Sequence, residues 1–309
     1  MKPEILLIEP MMPEIEKQLD AAYTVHRFAS VAQLEGIAPN IRAIATGGAT
    51  GVPAQVMTLL PALEIIAING IGTDAVDLKE ARRRHIHVTT TPGILTDDVA
   101  DMALGLILSL LRGLPESDRY VRDGGWGRTP APALGHKVTG KKLGIIGMGQ
   151  VGRAIARRAQ AFAMPISYTD LKDFGLDGYD FVPDLKTLAL NSEILVIAAS
   201  GGAGSRHLVN RDILDAVGPH GVVVNVARGS VVDEQALVQA LEEGTLGGAA
   251  LDVFEHEPNV PAALMHSART VLQPHRASAT VETRLEMGNL VVKNLAAHFA
   301  GQTLPTAVI

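Results

Sequence analysis

From Leu143 to Phe162 the chain reads LGIIGMGQVGRAIARRAQAF, a four-residue apolar run joined to a stretch of helical period by Gly147, Gly149 and Gly152. Few folds accept that junction. A strand has to turn at once into a helix, with Gly147 permitting the tight turn, Gly149 keeping the backbone bare and Gly152 letting helix and strand approach closely. Junctions of this kind belong to parallel sheets whose faces are covered by helices, so the expected fold class is α/β.

The rest of the sequence repeats the same alternation. Before the glycine run, strand candidates stand at 5–8, 23–28, 41–46, 63–68 and 86–89, with helical segments at 13–22 and 53–60. After Thr91-Pro92-Gly93 comes a long apolar helix, 98–111. From Lys142 six strands are expected, at 143–146, 166–169, 194–198, 222–226, 249–253 and 271–272, the number in a complete dinucleotide-binding sheet. A closing helix is expected over 282–300. The reading is of two doubly wound parallel-sheet domains: residues 1–94 and 283–309 form a substrate domain, and 95–282 form a Rossmann cofactor domain inserted into it. A chain of 309 residues supports two domains.

Composition narrows the partners. With 27 Lys+Arg against 33 Asp+Glu, the formal charge of -6 gives no attraction for nucleic acid or an anionic membrane surface. The longest apolar stretch, Met102 to Leu111, falls short of the roughly 20 residues of a membrane span. The chain has no cysteine, which excludes thiolate metal sites and cysteine nucleophiles. His85 and His87 stand two apart without a third ligand and read as a plain strand or loop pair, so no metal is expected. A cytoplasmic location is expected.

The glycine loop carries the first chemistry. The helix that follows it offers the N–H groups of Gln150 and Val151 and the positive end of its dipole to a pyrophosphate. Asp170 follows the second strand 18 positions after Gly152, near the spacing of an acid that binds ribose hydroxyls. Its charge favours NAD over NADP, while nearby Lys172 keeps NADP open.

In open parallel sheets the ligand crevice lies beyond the carboxyl ends of the strands. The polar residues that follow the later strands are Ser200-Gly201-Gly202, Ala227-Arg228-Gly229, Glu255-His256-Glu257 and Pro274-His275. All are expected on the edge that holds the glycine loop.

Taken in order, INGIGTD (68–74), TPGILTDDVAD (91–101), GGW (124–126), GMGQVG (147–152), NVARGSVVDEQAL (225–237), ALDVFEHEP (250–258) and LQPHRASAT (272–280) resemble the D-isomer-specific 2-hydroxyacid dehydrogenases. The likeness is strongest to their glyoxylate, hydroxypyruvate and hydroxyphenylpyruvate reductase branch. It implies NAD(P)H-dependent reduction of a small 2-oxo acid to the D-2-hydroxy acid, and the reverse oxidation. Arg228 would bind the substrate carboxylate and keto oxygen, His275 would be the acid/base, and Glu257 would pair with it. A guanidinium can fork onto a carboxylate, and an imidazole beside a carboxylate is suited to proton transfer near neutrality. The resemblance adds Thr96, Ser200, Val226, Ala227 and Asp252 to the cofactor contacts. It assigns Gly48, Ile71 and Gly72 to the substrate, and implies a homodimer through the 98–126 segment.

The chain departs from the family at Ser200-Gly201-Gly202, where relatives carry Pro-Leu-Thr. It departs again at Leu171, where NADPH users place arginine, and at Arg276. Glu255 and His256 are expected to be exposed loop residues. A rival reading is a non-enzymatic, NAD-sensing corepressor of the same fold.

Overall fold

The computed structural model describes residues 2–309, and these divide into two compact units, 2–95 with 279–309, and 96–278. In the first unit the apolar runs become five parallel strands: β1 (Glu4–Leu7), β2 (Thr24–Arg27), β3 (Ile41–Gly47), β4 (Ile65–Asn69) and β5 (His87–Thr89). They pair in the order β2-β1-β3-β4-β5, the flavodoxin-like arrangement. Successive residues of a strand point to opposite faces, and the two cores follow from that. Leu6, Ile44, Ile66 and Ile68 pack with Val56, Met57 and Leu60 on one side. On the other, Ile5, Leu7, Ala43, Ile65 and Ala67 pack with Ile15 and Leu19 of helix Pro13–Ala22 and with Val291 and Leu295 of helix Val281–Phe299. The closing helix therefore returns to the first sheet. The tail covers the free edge of β5, where Val308 N–H donates to Val88 O at 2.7 Å and Val88 N–H to Ile309 O at 3.1 Å.

The second unit holds β6 (Leu143–Ile146), β7 (Ile166–Thr169), β8 (Asp180–Phe181), β9 (Ile194–Ile197), β10 (Val222–Asn225), β11 (Gly248–Leu251) and β12 (Thr270–Leu272). This parallel sheet has seven strands, where the sequence predicts six, in the order β12-β11-β10-β9-β6-β7-β8. The additional strand, β8, is two residues long and pairs only with β7, too short for any periodicity to mark it. Strands β6, β9, β10 and β11 are buried along their whole length, as the central strands of a parallel sheet covered on both faces are. Helix Thr96–Arg112 buries Ala100, Ala103, Leu104 and Ile107 and packs on helix Gln150–Gln160 and against β10, β11 and β12. Arg158 ties the two helices by bonds to Asp101 at 2.5 Å and Asp97 at 2.9 Å. The connectivity reverses between β6 and β9, and that switch point is where the glycine loop emerges.

Candidate active site

The loop leaving β6 shows why each glycine is there. A Cβ added at Gly147, whose φ is +93°, would lie 2.7 Å from the backbone of Ala199, and one at Gly152 would lie 2.0 Å from the carbonyl oxygen of Gly147. A Cβ at Gly149 would meet nothing within 4 Å. Two of the glycines are thus needed by the chain itself, whereas the third leaves open space over the backbone. The helix behind it, Gln150–Gln160, has Gly149 at its N-cap and no side chain capping its first turn. A bare N-terminus facing open space is what a pyrophosphate requires, so the residues present fit a dinucleotide.

Asp170, at the end of β7, turns back on this loop. Its Oδ2 accepts the N–H of Met148 at 2.7 Å and its Oδ1 the N–H of Leu171 at 2.7 Å. The carboxylate is half-buried, and the free lone pairs of the two oxygens remain available to ribose hydroxyls. Leu171 is fully exposed. Lys172 reaches over the ring of Phe174 at 5.3 Å, and Arg153 lies over the same ring at 4.8 Å. Thr96 begins helix Thr96–Arg112, with its Oγ1 3.4 Å from Oε1 of Gln150. Ser200 is exposed, and its carbonyl accepts from Ser205 Oγ at 2.7 Å.

Arg228 stands just beyond β10 in a turn built by the buried Asn225. Oδ1 of Asn225 accepts the N–H of Ala227 at 3.0 Å, and its Nδ2 donates to the carbonyl of Arg228 at 2.9 Å. The N–H of Val226 donates to Ile197 O at 3.3 Å, and Arg228 Nη1 donates to Ala227 O at 2.7 Å. Sequence reasoning missed Asn225, although a buried amide closing a valine strand was a visible signal.

His275 occupies the left-handed region at φ +53°, which few non-glycine residues adopt. Asp252 holds it there. The N–H of His275 donates to the carbonyl of Asp252 at 2.7 Å, and the buried carboxylate takes the N–H groups of Arg276 at 2.7 Å and Ala277 at 3.0 Å. Burial pushes the Asp252 carboxyl up, against those two hydrogen bonds. The cofactor contact expected of Asp252 thus falls on a residue that builds the turn carrying His275.

Glu257 and His275 meet. Nδ1–H of the imidazole donates to Oε2 at 2.8 Å, with the two side chains 31% and 29% exposed, and Phe254 N–H donates to Oε1 at 3.0 Å. Burial raises the Glu257 carboxyl, but the bonds from His275 and Phe254 N–H and the charges of His275 and Arg228 outweigh it and hold it below the usual range. The pair forms one wall of a cavity of about 340 Å³ lined also by Gln273 and by apolar groups such as Phe254, Val260, Met265 and Leu272. With Nδ1 engaged, Nε2 is the nitrogen left to exchange a proton with a ligand.

The expectation for Glu255 is corrected. Its side chain is only 9% exposed and is bound by Arg206 and His207, each at 2.7 Å, because the loop from β9 folds across it; His256 is exposed as expected.

In the first unit, Gly48 lies beside the loop after β4, where a Cβ would sit 3.4 Å from Gly70 Cα and 3.6 Å from Gly72 N. Ile71 is 40% exposed. Glu9 folds over Gly47 and accepts a hydrogen bond from Thr50.

A seven-stranded doubly wound sheet with this loop at its switch point defines a dinucleotide-binding α/β enzyme. Residues 104–277 match the family described as D-isomer specific 2-hydroxyacid dehydrogenase, NAD binding domain. The chain is 49% identical over 308 residues to 2-ketogluconate reductase of Gluconobacter oxydans (strain 621H), covering 100% of this chain and 99% of that protein. It is 46% identical to glyoxylate/hydroxypyruvate reductase A of Arabidopsis thaliana, with 99% and 98% covered. Among solved structures, the NADPH-dependent glyoxylate/hydroxypyruvate reductase of Sinorhizobium meliloti, in complex with NADP and malonate, superposes with a TM-score of 0.94 at 41% identity, covering 100% of this chain and 97% of that one. The chain belongs to the D-isomer specific 2-hydroxyacid dehydrogenase family.

Proposed function

We propose that this protein reduces a small 2-oxo acid of the glyoxylate or hydroxypyruvate type to the D-2-hydroxy acid with NADH or NADPH, and catalyses the reverse oxidation. The observation that carries the reading is the His275–Glu257 pair, a proton donor held by a carboxylate that stays ionised, on loops that follow strands of the same sheet as the bare glycine loop. Reductases of both substrate names among the relatives, and malonate in the Sinorhizobium enzyme, support a small acid as ligand.

In this reading Arg228 binds the carboxylate and keto oxygen, where a guanidinium stays charged at every working pH. Gly48, Ile71 and Gly72 are the first unit's proposed contacts to the carboxylate. His275 gives its Nε2 proton to the oxygen at C2 and recovers it in oxidation, while Glu257 fixes the tautomer and balances the charge of the ring. The nicotinamide supplies or accepts the hydride at C2 when bound. Gly147, Gly149, Gln150, Val151 and Gly152 would hold the pyrophosphate, Asp170 the adenosine ribose, and Thr96, Ser200, Val226, Ala227 and Asp252 the remaining cofactor contacts. The carboxylate of Asp170 favours NADH.

The proposed assembly is a homodimer. Helix Leu114–Arg122 buries no residue, and the arm around it leaves Leu114, Val121, Trp126 and Leu134 from 50% to 97% exposed, apolar side chains that a second copy would cover. No described helix is long and apolar enough to cross a membrane. The proposed place of action is the cytoplasm, where reduced nicotinamide cofactor is drawn on.

Initial rates for glyoxylate, hydroxypyruvate, pyruvate and phenylpyruvate against NADH and NADPH test the reading. Turnover of a small 2-oxo acid with a D-product is expected. Binding of the cofactor with no turnover of any 2-oxo acid would favour the corepressor-like alternative.

A further inference from the structure

Three loops at the carboxyl edge of the second sheet are locked to one another at a single residue that the chemistry above does not use. His207, on the loop leaving β9, has its backbone N–H on the carbonyl of Ser230 at 2.8 Å, two residues beyond Arg228. Its ring Nε2 lies 2.7 Å from Oε1 of Glu255, two residues before Glu257, and Arg206 Nη2 reaches the same oxygen at 2.7 Å. The backbone of His207 is in the left-handed region at φ +50°. For a non-glycine residue that conformation persists only where the surroundings enforce it.

The two loops that His207 joins also touch directly. A Cβ on Gly229 would lie 1.9 Å from the carbonyl of Phe254, so the Arg228 turn rests on the backbone that leads to Glu257. From below, Oε2 of the buried Glu234 accepts the N–H of Glu255 at 3.2 Å. Glu255 is therefore held by its backbone and by its side chain at once, and the next turn of chain delivers Glu257 to His275.

We propose that His207, acting through Glu255, is a positioning residue that sets the seat of Glu257 against His275. This rests on the functional reading given above. The groups facing the pair are Arg206 on the β9 loop, Asp233 with Oδ2 3.9 Å from the His207 Nδ1, and the nearby Glu234, His256 and Glu257. Burial raises the Glu255 carboxyl, and the hydrogen bond from His207 with the charges of His207, Arg206 and His256 outweighs it. Glu255 consequently stays anionic and keeps both donors across the neutral range.

Two substitutions separate the contact from the strain. Asparagine tolerates positive φ but is too short to reach Glu255, whereas glutamine retains an N–H donor at similar reach. Two readouts are needed: the pH profile of kcat for reduction, and the titration of the His275 imidazole by NMR, assigned through loss of its signal in a His275→Asn variant. In His207→Asn, the midpoint of the His275 titration and the high-pH limb of kcat are expected to move to lower pH by about half a unit to one unit, the latter a tenfold change in the ionisation ratio. KM for the 2-oxo acid should hardly change, because the backbone bond to Ser230 remains. His207→Gln should restore most of the shift, and Glu255→Gln should reproduce it without adding to it in the double variant. An unmoved His275 midpoint in His207→Asn, or a uniform loss of activity at all pH with a lowered Tm and no shift, overturns the proposal. If the wild type turns over no 2-oxo acid, the functional reading fails and the NMR midpoint alone decides the role of His207.

Discussion

One carboxylate joins two loops: Oε2 of Glu257 accepts a hydrogen bond from Nδ1–H of His275 at 2.8 Å while its Oε1 accepts one from the N–H of Phe254 at 3.0 Å. Glutamine at 257 can keep one of these bonds but not the charge. In the proposed reaction reduction needs the protonated ring, so Glu257→Gln should keep activity at low pH and lose it at a lower pH than the wild type. Stability changes with the opposite sense. The folded Glu257 carboxyl is held below its unfolded value of about 4.3. The pair therefore contributes stability above that pH, and the contribution is lost as pH falls through the folded value. Thermal denaturation of Glu257→Gln should accordingly show a shallower loss of Tm in acid. Superimposable kcat profiles for variant and wild type would rule out the pairing as a functional one.

The glycine loop separates folding from binding. Gly152→Ala places a methyl 2.0 Å from the Gly147 carbonyl, and the loop has to shift, so a loss of about 1–3 kcal/mol of stability is expected. Gly149→Ala meets no protein atom, so its Tm should stay within a degree or two, about 0.5 kcal/mol. Its cofactor affinity should nevertheless fall by tenfold or more, roughly the 1.4 kcal/mol that a tenfold change in binding represents. Calorimetric titration with NADH checks this. Full affinity in Gly149→Ala would mean that the pyrophosphate does not approach this backbone.

Asp170 has two tasks that one substitution removes together. Asp170→Ala loses the bond to Met148 N–H and the proposed ribose contacts, and a charge-assisted hydrogen bond contributes about 1.5–3 kcal/mol. Affinity for NADH should fall roughly tenfold to a hundredfold, with a smaller loss for NADPH because repulsion of the 2'-phosphate disappears as well. Comparing kcat/KM for the two cofactors in variant and wild type is decisive. A wild type that prefers NADPH would instead implicate Lys172 and Arg153, both now stacked on Phe174.

Much of this architecture was legible in the sequence because a buried parallel strand has to be a short apolar run, and β6, β7 and helix Pro13–Ala22 fall where the pattern puts them. Strand β8 escaped because two residues carry no period and are strand only through pairing with β7. The acids show the limit most clearly. Composition distinguishes neither Glu255 from Glu257 nor either of them from Asp252. Their difference lies in which N–H groups the folded loops aim at them: Arg206 and His207 reach Glu255, His275 reaches Glu257, and the Arg276 and Ala277 amides reach Asp252. Such contacts join loops as much as 49 positions apart, and no local pattern encodes them.

The proposed proton donor, His275, is the most direct test. In His275→Ala, kcat for reduction of glyoxylate or hydroxypyruvate should fall by about a hundredfold to ten-thousandfold, the range for a positioned general acid, with the Kd for the reduced cofactor unchanged. Steady-state rates paired with cofactor titration of the same preparation measure both. A His275→Ala enzyme that keeps wild-type kcat while binding cofactor normally would contradict the account.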